Sequence, residues 1–383
     1  YSRQITNENV YTITKTVFLF FKQDWFPGMK WLGVSALLGR SSLILLSLCK
    51  DYIIENNSPS PSKESEKRVD MRLWAEYVKV ILLVSNHKSA SLTKLAITPR
   101  KAVYLISGDL KKISAYILNE CWDALATGHY NITYAKKYGL GALSDCQFEL
   151  FVHNQFLIRE IFIFAFHRHI DATRICCKIL WGLGLNFWRI FGSLQPAVNA
   201  CIPELFSAYQ IGKLRLNDYE LERFVSCLFF MMHVPDSDTF FPACMDFLRD
   251  LLGFLHIVNE IYKIPNQEEF DDDRTARHIE MFEYLLEANR PELFHKMIYD
   301  LFIHFIQKKD FVQAALSLEL LAGTYAWDSN DTLEAISFPP LPEQSSFERK
   351  EYLLKESARN FSRGQKPEKA LAVYKDLIKA YDE

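Results

Sequence analysis

The sequence contains little glycine and proline, with 14 of each among 383 residues. A sheet protein of this length needs many tight turns, and tight turns depend heavily on these two residues. Long apolar stretches instead recur at three- and four-residue spacing between short polar breaks, and 49% of the residues are hydrophobic. This pattern predicts an all-α protein that is long enough for two domains.

Neither sign of charge is in large excess. The formal net charge is −3 and the isoelectric point is near 6.4. Proteins that bind nucleic acid or anionic membranes through a broad surface usually carry a basic face. The composition therefore predicts no general nucleic-acid or membrane surface, although it leaves local patches open.

The sequence signatures of catalysis are also missing. It contains no GxxxxGK[ST] phosphate loop, no HExxH zinc motif and no serine nucleophile elbow. The carboxylates at 271–273 are adjacent in sequence rather than held across a cleft, as an acid–base pair requires. We therefore expect no catalytic residue, cofactor or metal site, and no enzyme activity of this chain by itself.

The cysteines form no CxxC pair, which argues against a zinc site. They fall mostly within apolar helical patterns, where an unpaired cysteine acts as a small hydrophobic residue. They therefore predict reduced core residues of a cytoplasmic protein. The eight are Cys49, Cys121, Cys146, Cys176, Cys177, Cys201, Cys227 and Cys244.

One stretch, from Trp31 to Cys49, is apolar enough to suggest a membrane span. Arg40 lies at its centre among several serines. A charge at the bilayer centre costs about 2.5 kcal/mol or more, and a span needs ~20 uninterrupted apolar residues. We therefore predict no transmembrane segment here, but a buried pair of helices broken near Gly39.

A first domain is predicted at residues 1–264, and its first 215 residues read as a succession of apolar helices. Many are apolar nearly all round and must be covered on two sides, as in stacked helical repeats. No repeat period is evident, so this region is predicted to be an irregular armadillo- or HEAT-like array. The polar, Ser/Pro-rich interval from 55 to 67 is predicted to be a loop. The helices are expected at 10–22, 31–56, 69–86, 99–127, 145–170, 172–191 and 196–211.

A second domain is predicted at residues 265–383. Acidic residues crowd at 268–273, where the positive end of a helix dipole would favour them. Five amphipathic helices follow with short turns between them, a layout like that of tetratricopeptide repeats. The apolar stripe predicted for the last helix is Ala370, Leu371, Tyr374, Leu377, Ile378 and Tyr381.

Two strings in this second region are more specific. Residues 311–321 read Phe-Val-Gln-Ala-Ala-Leu-Ser-Leu-Glu-Leu-Leu and are followed by Trp327, and residues 364–370 read Gly-Gln-Lys-Pro-Glu-Lys-Ala. In order and separation they resemble the first helical lobe of the exchange region in the dedicator-of-cytokinesis (DOCK) family. Phe311 and Pro367 stand where that family commonly has tyrosine and tryptophan, which is typical of a divergent member, such as a fungal one.

The resemblance implies a fragment of a guanine-nucleotide exchange factor for a Rac- or Rho-family GTPase. It implies a helical scaffold that supports dimerisation, while later lobes, outside this chain, bind the GTPase. An ELMO-type adaptor and a cytoplasmic location with peripheral recruitment to membranes are further expectations from the family. The alternative is a helical-repeat scaffold that assembles a complex without exchange activity.

Two candidate binding segments lie in the second region. Surplus aromatic residues on a helical lobe are typical of an interface core, although they also complete the lobe's own core. The segment Pro339-Pro340-Leu341-Pro342 has the PxxP spacing of polyproline ligands at Pro339 and Pro342, or it is a stiff connector. The candidate interface aromatics are Phe294, Tyr299, Phe302, Phe305 and Phe311.

Overall fold

The all-α prediction is confirmed. In the described residues, seventeen α-helices accompany a single two-stranded hairpin. Each helix pairs its own backbone amide groups by hydrogen bonding. A sheet would need many turns to pair the same groups, and this chain is poor in turn residues. The computed structural model describes residues 6–23, 25–26, 30–59, 69–92, 95–126, 132–141, 143–214, 216–265, 267–287, 291–336 and 339–382.

The backbone contacts divide the chain into two compact units, Tyr1–Pro265 and Asn266–Glu383, one residue from the boundary placed in the sequence. Unit 1 contains α1 (Asn7–Lys22), α2 (Leu32–Asn57), α3 (Met71–Ser85), α4 (Ile97–Ser107), α5 (Leu110–Leu125), α6 (Ile132–Lys137), α7 (Asp145–Val152), α8 (Phe156–Ala165), α9 (Ile170–Phe191), α10 (Gln195–Gln210), α11 (Asp218–Met231) and α12 (Phe240–Lys263). Unit 2 contains α13 (Asp271–Glu287), α14 (Pro291–Gln307), α15 (Phe311–Gly323), β1 (Thr332–Leu333), β2 (Gln344–Ser345), α16 (Ser346–Arg363) and α17 (Pro367–Asp382).

In both units, several helices begin at capping residues whose side chains hydrogen bond to backbone N–H groups of the first turn. Asp109 caps α5 by accepting from the Lys112 N–H at 3.0 Å. Ser345 and Glu348 form a reciprocal capping box at the start of α16. Each cap satisfies amide groups that the first turn of a helix leaves unpaired. The acidic run at 271–273 occupies the first turn of α13, as expected from the helix dipole.

Several helix boundaries in unit 1 differ from the prediction. The helix expected at 99–127 is divided into α4 and α5 by Gly108, whose φ of 65° lies in the left-handed region that favours glycine. The helix expected at 145–170 is divided into α7 and α8. The predicted loop at 55–67 is helical as far as Asn57, and residues 60–67 lie outside the described stretches.

The prediction of a broken helix pair at 31–49 is wrong, because α2 runs unbroken through Gly39. A Cβ at Gly39 would lie 3.0 Å from Leu110 Cδ1, so this glycine allows close helix packing rather than a break. Arg40 donates through Nη1 to the Ile106 carbonyl at 2.8 Å. One face of α2 is buried, while Leu37 and Leu48 are exposed.

Among the described helices, α2 alone is long and apolar enough to cross a membrane by length and composition. A core helix of a soluble protein passes the same test, and α2 packs against α3, α4 and α5. Its length and composition therefore do not define a transmembrane segment.

The core of unit 1 is rich in aromatic side chains. Trp181 on α9 stacks on Phe240 of α12 with ring centroids 5.7 Å apart, and its indole N–H donates to the Tyr138 carbonyl at 2.9 Å. Next to it, a Cβ at Gly182 would lie 2.4 Å from the Trp122 ring. This glycine lets α9 lie directly on the α5 tryptophan, since no larger residue fits.

Unit 2 is built from successive helices, with α14 packed on α15, α15 on α16 and α16 on α17. This arrangement agrees with the tetratricopeptide-like layout expected from the sequence. Gly364 ends α16 close to α15, because a Cβ there would lie 2.7 Å from Val312 Cγ2. The buried cluster at the α15–α17 end comprises Ala315, Ala358, Phe361, Ala370, Val373 and Leu377.

The predicted apolar stripe of α17 is only partly correct. Ala370 and Leu377 are buried as expected, but Val373 also belongs to the core and was not predicted. The other four predicted members are exposed, because α17 buries a narrow face against α16. These four, the α17 stripe, are Leu371, Tyr374, Ile378 and Tyr381.

Candidate functional site

The five candidate interface aromatics do not form one exposed face. Phe294 and Phe305 are buried, and Tyr299, Phe302 and Phe311 are half-buried. The Phe294 ring packs edge-on against Phe282 of α13 at 6.1 Å. Phe294 and Phe305 therefore belong to the core of unit 2, the alternative that their sequence pattern allowed. The half-buried rings remain as candidates.

The α17 stripe is an exposed apolar face that the sequence reading mistook for core. Its members follow one another at intervals of three, four and three residues, so they lie along one side of the helix. Leu371 is 56% exposed, and Tyr381 contacts Phe347 of α16 with ring centroids 5.6 Å apart. Contiguous apolar surface of this kind is typical of protein–protein contact sites.

A groove of about 460 Å³ lies where α15, α16 and α17 converge. Its walls carry both charge signs, from the carboxylates of Glu319 and Asp376 and the amines of Lys350 and Lys379. Lys350 Nζ lies 4.9 Å from the centre of the Trp327 ring, and burial lowers the pKa of this amine. The groove is suited to a polar segment of a partner rather than to an apolar ligand.

The PxxP segment is folded into a hairpin within unit 2. Ile336 and Leu341 exchange backbone hydrogen bonds at 2.8 and 3.1 Å, and β1 pairs with β2 in antiparallel register. Pro339 is buried whereas Pro342 is exposed, so the two prolines do not share an accessible face. Docking of a polyproline-binding domain at Pro339 and Pro342 stays a prediction that would require this hairpin to open.

A buried arginine holds the hairpin in place. Arg349, on α16, donates through Nη2 to the carbonyls of Glu334 at 2.8 Å and Pro342 at 3.0 Å. Its guanidinium also lies 5.6 Å from the centre of the Tyr325 ring. Backbone carbonyls and an aromatic face thus compensate the buried charge.

His295 of α14 completes this cluster. Its Nε2 lies 2.8 Å from Thr324 Oγ1, and its ring packs on Tyr325 at 5.1 Å. Burial, reinforced by the positive charge of Arg349, lowers the pKa of His295 to about 4. The neutral imidazole is therefore the native form at neutral pH.

Unit 2 should lose stability as the pH falls from 6.5 towards 4. An unfolded histidine titrates near 6.5 and His295 titrates near 4 in the fold, so protonation favours the unfolded chain between these values. Above pH 6.5, neutral His295 makes its full contribution to the free energy of unfolding. It should amount to about 2 kcal/mol after allowance for partial exposure.

Hydrogen exchange of α14 and α15 across this pH range checks the expectation. Replacing His295 with glutamine should make the decline shallower, while His278, whose pKa burial also lowers, still contributes with the same sign. An unchanged pH slope in the variant would contradict this role of His295.

In unit 1, charged side chains from three distant parts of the sequence come together. Glu220, at the start of α11, pairs with Arg223 on the same helix and with Arg168 at 3.6 Å. Burial lowers the pKa of Lys111 to about 8, an effect that the nearby carboxylates partly oppose. Sequence reading missed this cluster because the three parts are each about 50 residues apart.

Asp109 forms the outer edge of the same cluster. Its Oδ2 lies 2.9 Å from His169 Nε2 and accepts from the Tyr104 hydroxyl at 3.0 Å. Burial opposes ionisation, but hydrogen bonds from His169 and the Lys112 N–H hold the pKa of this carboxyl well below its usual range. These hydrogen-bonded pairs fit a structural network.

A second groove, of about 760 Å³, lies between α11 and α12. Exposed Phe229, Phe230 and Met245 contribute to its wall. These side chains form an apolar wall that can accept apolar side chains of a partner. Within the described ranges, no group of three or more His, Cys, Asp or Glu side chains could hold a metal ion.

Comparison with known proteins gives a distant similarity over most of the chain. No family model matches the chain. "Dedicator of cytokinesis protein 3" of Mus musculus and of Homo sapiens are each 21% identical to it over 326 residues. The likeness is distant and DOCK-like. It covers 83% of this chain, and therefore extends over both units, but it covers only 15% of the length of those relatives.

Proposed function

We propose that this chain is the helical scaffold of a DOCK-like guanine-nucleotide exchange factor for a Rac- or Rho-family GTPase. The observation that carries the proposal is the 21% identity to dedicator-of-cytokinesis proteins over 83% of the chain. The strings at 311–321 and 364–370 support it, since the first lies in α15 and the second forms the turn between α16 and α17 and the start of α17. In the whole protein, lobes outside this chain bind the GTPase.

Within this proposal the two units have different roles. Unit 1 is the armadillo-like region, a possible support for an ELMO-type adaptor, and unit 2 is the first lobe of the exchange region. The protein acts in the cytoplasm and is recruited peripherally to membranes. Each of these roles rests on the family resemblance. None of them assigns a catalytic residue to this chain.

Unit 2 also serves as the homodimerisation platform. Phe294 and Phe305 are buried in unit 2, whereas the α17 stripe presents four large apolar side chains to solvent. A helix–helix contact through such a stripe buries apolar area from both copies. The half-buried Tyr299, Phe302 and Phe311 lie on α14 and α15, away from this helix in sequence.

Fluorescent-GDP release from several Rho-family GTPases tests the exchange function. The full-length protein should accelerate release, whereas this 383-residue chain alone should match the uncatalysed rate. A full-length protein without effect on any of these GTPases would favour the alternative, a helical-repeat scaffold without exchange activity. Acceleration by the isolated chain would show that a catalytic surface lies within it.

The molar mass of the same full-length samples, measured by light scattering, tests whether unit 2 is the dimerisation platform. Replacing Leu371 and Ile378 with glutamate should convert a dimer into a monomer while helicity is retained. The matched control is Ala372→Glu, an exposed position on the same helix that lies about 100° around the helix axis from Leu371. A dimer that survives the double substitution would place the interface elsewhere, and a parent protein that is monomeric would exclude the platform.

A further inference from the structure

Two cysteines that are distant in sequence lie on helices of unit 1 that pack against each other. Cys177 lies on α9 and Cys227 on α11. Cys177 Sγ lies 3.8 Å from the carbonyl oxygen of Phe224, three residues before Cys227 on α11, so Cys177 meets α11 within one turn of Cys227. Cys177 is buried, whereas Cys227 is half-buried and accessible from solvent. A soluble reagent can thus reach the Cys227 thiol, whereas the Cys177 thiol is shielded from solvent.

The charges around the pair favour the thiolate at Cys227. The hydrogen bond from Cys177, aided by the positive charges of Arg174 and Arg223, lowers the pKa of Cys227 to about 7 against the opposing effect of burial. Burial raises the pKa of Cys177, which therefore stays a thiol. An accessible low-pKa thiolate beside a second thiol is the arrangement that makes cysteines sensitive to oxidation.

We propose that Cys177 and Cys227 are a peroxide-sensitive pair that closes into a reversible disulfide between α9 and α11. Because the Cys177 sulfur already lies within one turn of Cys227 on the packed helix α11, the bond requires the two sulfur atoms to approach to about 2.05 Å without a change of helix partners. The bond would tether α11 at Cys227, next to the groove residues Ser226 and Phe229.

The chemistry balances with hydrogen peroxide as the oxidant. The Cys227 thiolate attacks one peroxide oxygen, the O–O bond breaks, and the departing hydroxide is protonated to water, leaving a sulfenic acid. The Cys177 thiol then loses its proton as its sulfur attacks the Cys227 sulfur, and the S–O bond breaks to release a second water. Both thiols are oxidised and the peroxide is reduced. A dithiol reductant reverses the reaction.

The first measurement is the alkylation rate of each cysteine in the native 383-residue chain. Cys146 is the matched control, because it is equally half-buried but carries neighbouring Glu149 and Asp145, which with burial raise its pKa. Near neutral pH, Cys227 should react roughly tenfold faster than Cys146, since its larger thiolate fraction outweighs its lower intrinsic nucleophilicity. Equal rates would overturn the proposal without any variant having to fold.

The second measurement maps the bond after treatment with hydrogen peroxide. Under non-reducing conditions, the tryptic peptide 175–178 should be linked to the peptide 224–249, and dithiothreitol should separate them. Cys177→Ser and Cys227→Ser should each abolish the link. Cys176→Ser and Cys244→Ser, which change the other cysteine of each peptide, should leave it intact. Absence of the link in the parent chain, or its dependence on Cys176 instead of Cys177, would overturn the assignment.

Discussion

Replacing Glu220 with alanine should lower the free energy of unfolding of unit 1 by about 3–5 kcal/mol, the usual cost of removing one partner of a buried ion pair. Glu220 is 2% exposed, and its carboxylate pairs with Arg223 and Arg168. Without it, the guanidinium of Arg223 and the amine of Lys111 remain largely buried near each other with less compensating negative charge. The α11 cap is retained, because Asn217 accepts from the backbone N–H at position 220.

The matched control is Asp246→Ala on α12. Asp246 pairs with Arg249 at 2.9 Å in the same three-residue spacing, but both side chains are largely exposed. Solvent-exposed pairs contribute little, so this substitution should change stability by less than about 1 kcal/mol. Urea unfolding followed by tryptophan fluorescence gives both values, since six of the seven tryptophans lie in unit 1. Similar small losses for both substitutions would mean that the Glu220 cluster does not stabilise the fold.

Leu377→Ala should destabilise unit 2 by about 2–5 kcal/mol, the range for truncating a leucine in a packed core. Leu377 is 3% exposed and lies in the cluster formed by α15, α16 and α17. The loss of stability has two parts: the transfer free energy of the apolar atoms removed, and the cost of the cavity left in the cluster that includes Phe361. Hydrogen exchange in residues 346–382 reports the effect locally, whatever the behaviour of unit 1.

The adjacent residue is the control. Ile378→Ala removes an aliphatic side chain of similar size from the same helix, but Ile378 is 59% exposed. At concentrations where the chain is monomeric, this change should shift stability by no more than about 0.5 kcal/mol. A larger loss from Ile378→Ala than from Leu377→Ala would reverse the assignment of the two faces of α17.

The two faces of α17 also determine where a partner can bind. A helix with apolar residues at 370, 373 and 377 and again at 371, 374, 378 and 381 has more apolar surface than one neighbour covers. In the structure, residues 370, 373 and 377 are buried in the core of unit 2, whereas residues 371, 374, 378 and 381 are exposed. This division is why the proposed dimerisation platform lies on α17 rather than on the buried aromatics of α14.

The sequence alone determined the features that depend on neighbouring residues. Scarcity of turn residues and three- to four-residue periodicity were sufficient for the all-α class, because helix formation depends on local spacing. The acidic run at 271–273 similarly marked the start of α13, since the helix dipole acts within one turn. The short turn that ends α16 was signalled by Gly364.

Only the tertiary structure decided which apolar and polar groups meet. Leu371 and Leu377 are equivalent by composition, and packing against α16 alone separates the exposed residue from the buried one. The pairs Glu220–Arg168 and Cys177–Cys227 each join residues about 50 positions apart. Local sequence constrains a helix and its periodicity, whereas the contacts between helices depend on how the whole unit packs, and so the buried charge cluster and the thiol pair could not be found before the fold was known.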